Sequence, residues 1–243
     1  MQNIQSMTIR EIALERPVTT RVFEEFKIDY CCHGDTQFDE ACRMAGTSPE
    51  LVMQKIDGVL DGSTGDASET FTHSSLSDLI DHILSKHHDY TKEEMTQLSA
   101  LMTKVATRHG EHLPALVELK TLFDSVCADL GPHMMKEEAV LFPYIQRLES
   151  SYTHHHTPAF PPFGTVKHPV GMMSIEHEEV GELLAKMRAV TDNYDLPDWA
   201  CPSFTALYHR MQALEADLHQ HIHLENNLLF PRAIELEIKA FGA

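Results

Sequence analysis

Along the 243-residue chain, apolar residues recur at spacings of three and four, and β-branched alternation is nearly absent. That is the helical period, so the pattern predicts an all-α protein. From Leu76 onward four long helical patterns follow, over about 76–106, 114–148, 170–192 and 203–236. Pro114, Pro169 and Pro202 stand near the starts of the last three, as in a four-helix bundle with short connections. Ahead of them, residues 7–60 carry shorter helical patterns. The first is opened by Thr8 and Glu11 at capping-box spacing, a later one by Ser48 before Pro49. Residues 61–75 are polar and rich in breakers, the composition of a linker. The expected organisation is a small helical domain over 1–60, a linker over 61–75 and a bundle over 76–243. The connection from Ser150 to Pro169 has four prolines and His154, His155 and His156, and reads as an irregular surface loop.

A duplication runs through the bundle. His133 is followed by Glu137 and then Leu141, Phe142, Pro143; His221 is followed at the same spacing by Glu225 and then Leu229, Phe230, Pro231. His88 lies 45 residues before His133, and His177 lies 44 before His221. The register of each helix tells which way these residues point. The last stripe runs Leu207, Met211, Leu214, Leu218, His221, Glu225, Leu228, and the second runs Leu116, Leu119, Phe123, Val126, Leu130, His133, Glu137, Val140. The third is Val170, Met173, His177, Val180, Leu184, Met187. The first is Leu84, His88, Thr91, Met95, Leu98, Met102, Val105, which selects His88 over His87. Four histidines and two glutamates therefore fall on inward-facing positions.

A lone histidine on an apolar stripe is usually a hydrogen-bonded core residue. Six polar residues at matched spacing are a different case, because buried carboxylates with only neutral imidazoles beside them are costly unless a cation binds. Two imidazoles per metal and two shared carboxylates make a dinuclear, carboxylate-bridged site. The nitrogen and oxygen ligands suit iron first and manganese second, with positions left for a diatomic ligand or an oxo bridge. His219 and His223 sit about 200° around the helix from His221 and are expected at the solvent side or the bundle edge. His82 and His109 are open between a surface place and a supporting one.

Composition narrows the partners. The 37 acidic against 19 basic residues give a charge of −18, which argues against nucleic acid and anionic membranes and leaves cations open. No apolar run reaches the roughly 18 residues of a membrane span. The amino terminus lacks the basic start and apolar stretch of a signal peptide, and the five cysteines do not form a disulfide framework, so a cytoplasmic protein is expected. Cys31 and Cys32 are adjacent in the small domain. Their chemistry fits a redox or metal-relay dithiol equally as well as two ordinary cysteines in a tight turn.

With Asp29, Tyr30, Cys31, Cys32 in the first domain, and with Ile80 to Ile83, His133 to Glu138 and His221 to Pro231 in the bundle, the chain resembles the Repair of Iron Centres family. This is the ScdA/YtfE/DnrN group of hemerythrin-like di-iron proteins. The resemblance covers nearly the whole chain. It implies an ScdA-type domain before a hemerythrin-like bundle, with His88, His133, His177 and His221 as terminal iron ligands and Glu137 and Glu225 as bridges. It also maps a further histidine near the site onto His109. The implied function is restoration of iron–sulfur clusters damaged by nitric oxide or oxidants, with damaged iron–sulfur proteins as partners. A hemerythrin-like module that binds or senses O2 or NO, and a di-iron nitric-oxide reductase, are the alternatives; a homodimer is compatible with either. Gly131 and Pro132, just before His133, lead to the expectation of a kink.

Overall fold

The computed structural model describes residues 4–62 and 71–241. Among these residues the regular structure is helical, with one isolated antiparallel bridge between Thr8 and Gln37. The small domain has helices α1 (Ile9–Glu15), α2 (Thr20–Phe26), α3 (Phe38–Met44) and α4 (Pro49–Gly62). Thr8 caps α1 in a full capping box, its Oγ1 accepting the Glu11 N–H while Glu11 accepts the Thr8 N–H. The Ser48 hydroxyl accepts the Leu51 N–H at the start of α4. Ile9, Ile12, Phe23, Phe38, Val52 and Ile56 close this domain's own core. Most of the expected linker, residues 63–70, lies outside the described residues.

The bundle follows as α5 (Leu76–His82), α6 (Asp89–His109), α7 (Ala115–Lys136), α8 (Phe142–Thr153), α9 (Lys167–Val190), α10 (Pro202–Leu224) and α11 (Phe230–Phe241). Three of the four expected helices are thus each divided by a wide, π-type turn, at Ile83–His88, Glu137–Leu141 and Glu225–Leu229. In each the closing N–H reaches back five residues: Asp89 to Leu84, Phe142 to Glu137, Phe230 to Glu225. The last two precede Pro143 and Pro231, which lack an N–H and would collide with the carbonyl four residues back in a continuous α-helix. The extra residue shifts the apolar stripe by one. Val140, expected in the core, is 47% exposed, and Leu141 and Phe142 take the inward place. The helix α7 runs through Pro132 as one element, and the irregularity lies beyond it at Glu137.

Two apolar layers fill the bundle. One is built on Leu98, Met102, Phe123, Leu130, Leu184, Leu214 and Leu218; the other on Leu79, Ile83, Phe142, Ile145, Leu229 and Phe230. The π turns lead from one to the other, with Ile83, Leu141 and Leu229 already packed in the second. The buried Glu237 carboxylate closes the start of α9, accepting from Tyr144 Oη at 2.6 Å and the Val166 N–H at 2.9 Å. His154, His155 and His156 are exposed after α8, as their loop composition suggested. Among the described residues no helix is long and apolar enough to cross a membrane.

Candidate metal centre

Between the two apolar layers the structure brings together His88, His133, Glu137, His177, His221 and Glu225, each at most 2% exposed. They form two overlapping groups that share the glutamates: His88 and His221 with Glu137 and Glu225, and His133 and His177 with the same pair. His88 Nε2 lies 3.1 Å from His221 Nε2, and His177 Nε2 lies 3.1 Å from His133 Nε2. Glu137 Oε2 is 3.3 Å from His133 and 3.5 Å from His88. Glu225 reaches His221 at 3.0 Å with one oxygen and His177 at 3.1 Å with the other.

The outer nitrogens decide the tautomers. His88 Nδ1 faces Glu138 at 2.7 Å, His133 Nδ1 faces Glu176 at 2.8 Å, and His177 Nδ1 faces the Asn226 amide oxygen at 3.0 Å. Each partner is an acceptor, so each Nδ1 carries the proton and each Nε2 turns a lone pair inward. Lys92 and Lys136 hold Glu138 and Glu176 in place from outside. The lone pairs of His133 and His177, facing each other at 3.1 Å beside two carboxylates, call for positive charge. Both Glu137 oxygens and Glu225 Oε2 are buried without a hydrogen-bond partner among the described residues. The donor set and these orphaned oxygens fit a bound cation pair.

Without a cation, protons must supply the charge. Burial lowers His88 and His133, but the two glutamates outweigh it, raising His88 to about 10 and His133 to about 9. Burial and the charge of Glu225 push Glu137 up, yet its histidines hold it below the usual carboxylate range. Burial pushes Glu225 up as well, and His221 and His177 bring it well below that range. Burial also lowers His221, against the pull of Glu225.

The vicinal cysteines are close by. The π turn after α10 carries Asn226 and Asn227 behind Glu225. Asn226 bonds His177 with its oxygen and donates to the Cys31 carbonyl at 3.3 Å; Asn227 donates to the Tyr30 carbonyl at 3.0 Å and accepts from Arg10 Nε at 2.6 Å. The Cys32 thiol donates to the His177 carbonyl at 3.7 Å. A Cβ at Gly34 would lie 3.0 Å from Arg10 and 3.3 Å from Asn227, so the turn fits this closely only with glycine there. The thiols stand 3.7 Å apart, and the Cys32 bond followed by burial pushes Cys31 well above the usual thiol range.

Other expectations change. His109 does not join the six: it sits about 30 Å along α6 from His88, beside Cys201 at 3.3 Å and the rings of Trp199 and Phe204. A supporting role at the cluster is therefore corrected by distance. His219 and His223 are at the bundle edge, but the first domain covers them. His219 bonds Glu24 at 2.8 Å, and His223 is only 3% exposed against the Tyr30 carbonyl. Sequence periodicity gave no sign of Glu138, Glu176, Asn226 and Asn227; the available signal was that each lies within two residues of one of the six.

Comparison with known proteins agrees with both parts. The hemerythrin HHE cation binding domain matches residues 79–233, and the ScdA_N domain of unknown function (DUF542) matches residues 5–59. The iron–sulfur cluster repair protein YtfE of Edwardsiella ictaluri is 34% identical over 224 residues, 92% of this chain and 95% of its own. A probable iron–sulfur cluster repair protein of Haemophilus influenzae is 28% identical over 93% of this chain and 96% of its own. ScdA of Staphylococcus haemolyticus, an iron–sulfur cluster repair protein, is 29% identical over 91% and 95%.

Two outcomes follow from this geometry. Glu137→Ala removes an acceptor shared by both groups, and metal analysis should show occupancy reduced at least tenfold, whereas His219→Ala should retain it; the reverse order would place the site on the other face of α10. Protons on His88 and His133 stabilise the metal-free fold fully below the ordinary histidine value of 6.5, and this is lost as pH rises through about 9 to 10. The thermal midpoint of metal-free protein should fall across that window while that of metal-loaded protein holds. Equal falls would show that metal does not replace those protons.

Proposed function

The chain belongs to the Repair of Iron Centres family of hemerythrin-like proteins, and from that premise we propose that it holds two non-haem irons and restores iron–sulfur clusters damaged by nitric oxide or oxidative stress. Repair proceeds by iron donation, by removal of NO, or by both. One observation carries the reading: six ligand-type side chains and a dithiol turn share one hydrogen-bonded unit, joined through Asn226. His88 and His221 would hold one iron and His133 and His177 the other, with Glu137 and Glu225 within reach of both groups. A set of nitrogen and oxygen donors without thiolate favours iron, with manganese second. When bound, the metals supply Lewis acidity and one-electron chemistry, with room for NO or O2 as a small ligand.

The chain's own residues set the conditions. The two apolar layers keep bulk water from the cluster. Glu138, Glu176 and Asn226 hold the outer nitrogens protonated and the inner ones available. Cys31 and Cys32 form the client-facing relay. A bare carrier of O2 or NO has no need of thiols bonded to the support of a metal ligand, and this favours repair over simple binding or sensing. The clients are damaged iron–sulfur proteins of the cytoplasm.

The assay is anaerobic incubation with a nitrosylated iron–sulfur protein, following cluster recovery, NO consumption and iron content. The double variant Cys31→Ser, Cys32→Ser should lose cluster recovery at least tenfold while its iron spectrum is unchanged. Recovery at the normal rate by that variant would remove the relay from the mechanism.

A further inference from the structure

We infer that the Cys31–Cys32 turn is itself a second cation site, in which both thiolates and the Asp29 carboxylate are ligands and an open position faces a cleft between the domains. The class of ligand is a thiophilic divalent cation such as ferrous iron or zinc. The site is separate from the six residues in the bundle and uses none of them.

The geometry is that of ligands gathered around one ion. Asp29, Cys31 and Cys32 each offer a donor atom, all within 4.8 Å of one another. The two Sγ atoms are 3.7 Å apart. Thiolates bound at about 2.3 Å on a tetrahedral centre stand roughly 3.8 Å apart, far beyond the roughly 2 Å of a disulfide. Asp29 Oδ1 accepts the Cys31 thiol at 3.3 Å, a hydrogen bond whose proton a cation would replace.

The turn is folded to produce this grouping. Neighbouring side chains of an extended chain point to opposite sides, and two adjacent thiols would then diverge. Here Asp29 Oδ1 accepts the backbone N–H groups of both Cys31, at 3.0 Å, and Cys32, at 2.9 Å, which curls the segment so that the sulfurs converge. The other carboxylate oxygen is held by His33 Nδ1 at 2.6 Å, a backing group of the kind that orients carboxylate ligands. Among the described residues the ion pair of Asp29 is with His33 and not with a lysine or arginine, so its partner is one that can give up its proton when a cation binds.

Access comes from a cleft of about 590 Å³ lined by the two cysteines, Asp29 and His33 on one side and by Glu178 and Glu182 of α9 on the other. Arg21, Lys27 and Arg188 line the cleft too, but Glu24, Glu25, Asp29, Glu178, Glu182 and Glu215 outnumber them, a balance that favours a cation over an anion. On binding, each thiol gives its proton to solvent and each sulfur donates an electron pair to the ion, with no change of oxidation state. A cation here sits against the helix that carries His177, since the Cys32 sulfur packs on the His177 carbonyl at 3.7 Å. A further role as a stop for iron between bundle and client rests on the repair function proposed above; the site itself does not.

The test uses the full-length protein, reduced, anaerobic and loaded with iron, titrated with cobalt(II). One equivalent should produce near-ultraviolet thiolate-to-cobalt charge-transfer absorption, and zinc(II) should displace it. The bundle site offers no sulfur, so cobalt exchanging there gives no such band. Cys32→Ser should abolish the band, and Asp29→Asn should weaken cobalt binding at least tenfold, both with the iron content of the bundle and the helical circular dichroism unchanged. Absence of the band from the native protein, or its survival in Cys32→Ser, would overturn the inference. Iron content read on the same samples tests the bundle site separately, so either site can fail without the other.

Discussion

Two carboxylates buried at the middle of an apolar bundle, Glu137 and Glu225, set the constraint on which the rest of the structure depends. Each is fully buried. Left uncompensated, such charges cost several kcal/mol, and imidazole rings alone offset them only by taking up protons. The bundle answers with four histidines whose inner nitrogens converge on the carboxylates, and with outer acceptors that fix three of those rings. The apolar layers above and below depend on the same solution, because they shield the site only while its charge is balanced.

The π turns give this centre its reach. Each is tied to a proline or to one of the six converging residues: Glu137 and Glu225 each begin a turn that relieves the following Phe-Pro pair, and His88 ends the third. In an uninterrupted α-helix the residue after Glu225 would sit 100° further around, and the chain's apolar face would fall out of register by the next turn. The wider turn absorbs one residue. It restores the apolar face and presents Asn226 and Asn227 sideways to the first domain. The link between domains therefore follows from the same backbone irregularity that positions Glu225. Arg10, Tyr30, Cys31 and Gly34 on one side and Asn226, Asn227 and His223 on the other share one hydrogen-bonded contact.

Much of this was legible in the chain, because helix periodicity is local. The stripe positions of His88, His133, His177 and His221 follow from spacings of three and four, and the structure buries all of them. The capping box of Thr8 and Glu11 is equally local and equally plain. Val140 was misplaced since a periodicity of 3.6 carried through Glu137 cannot register an inserted residue, although Phe142-Pro143 was the clue. His223 stands at the bundle edge as its register says, but its burial is not local information: it faces away from the bundle core, and the first domain covers it. His109 lay beyond periodicity altogether. Its distance from the cluster becomes apparent once α6 is seen to run unbroken from Asp89 to His109.

The central claim is that the six converging residues exist to hold two metal ions. It is tested most directly by counting metals in protein produced anaerobically with iron in excess. The account predicts about two irons per chain, lost together when the shared glutamates are removed. Protein that is fully folded with zinc alone, or with no metal at all, would contradict it.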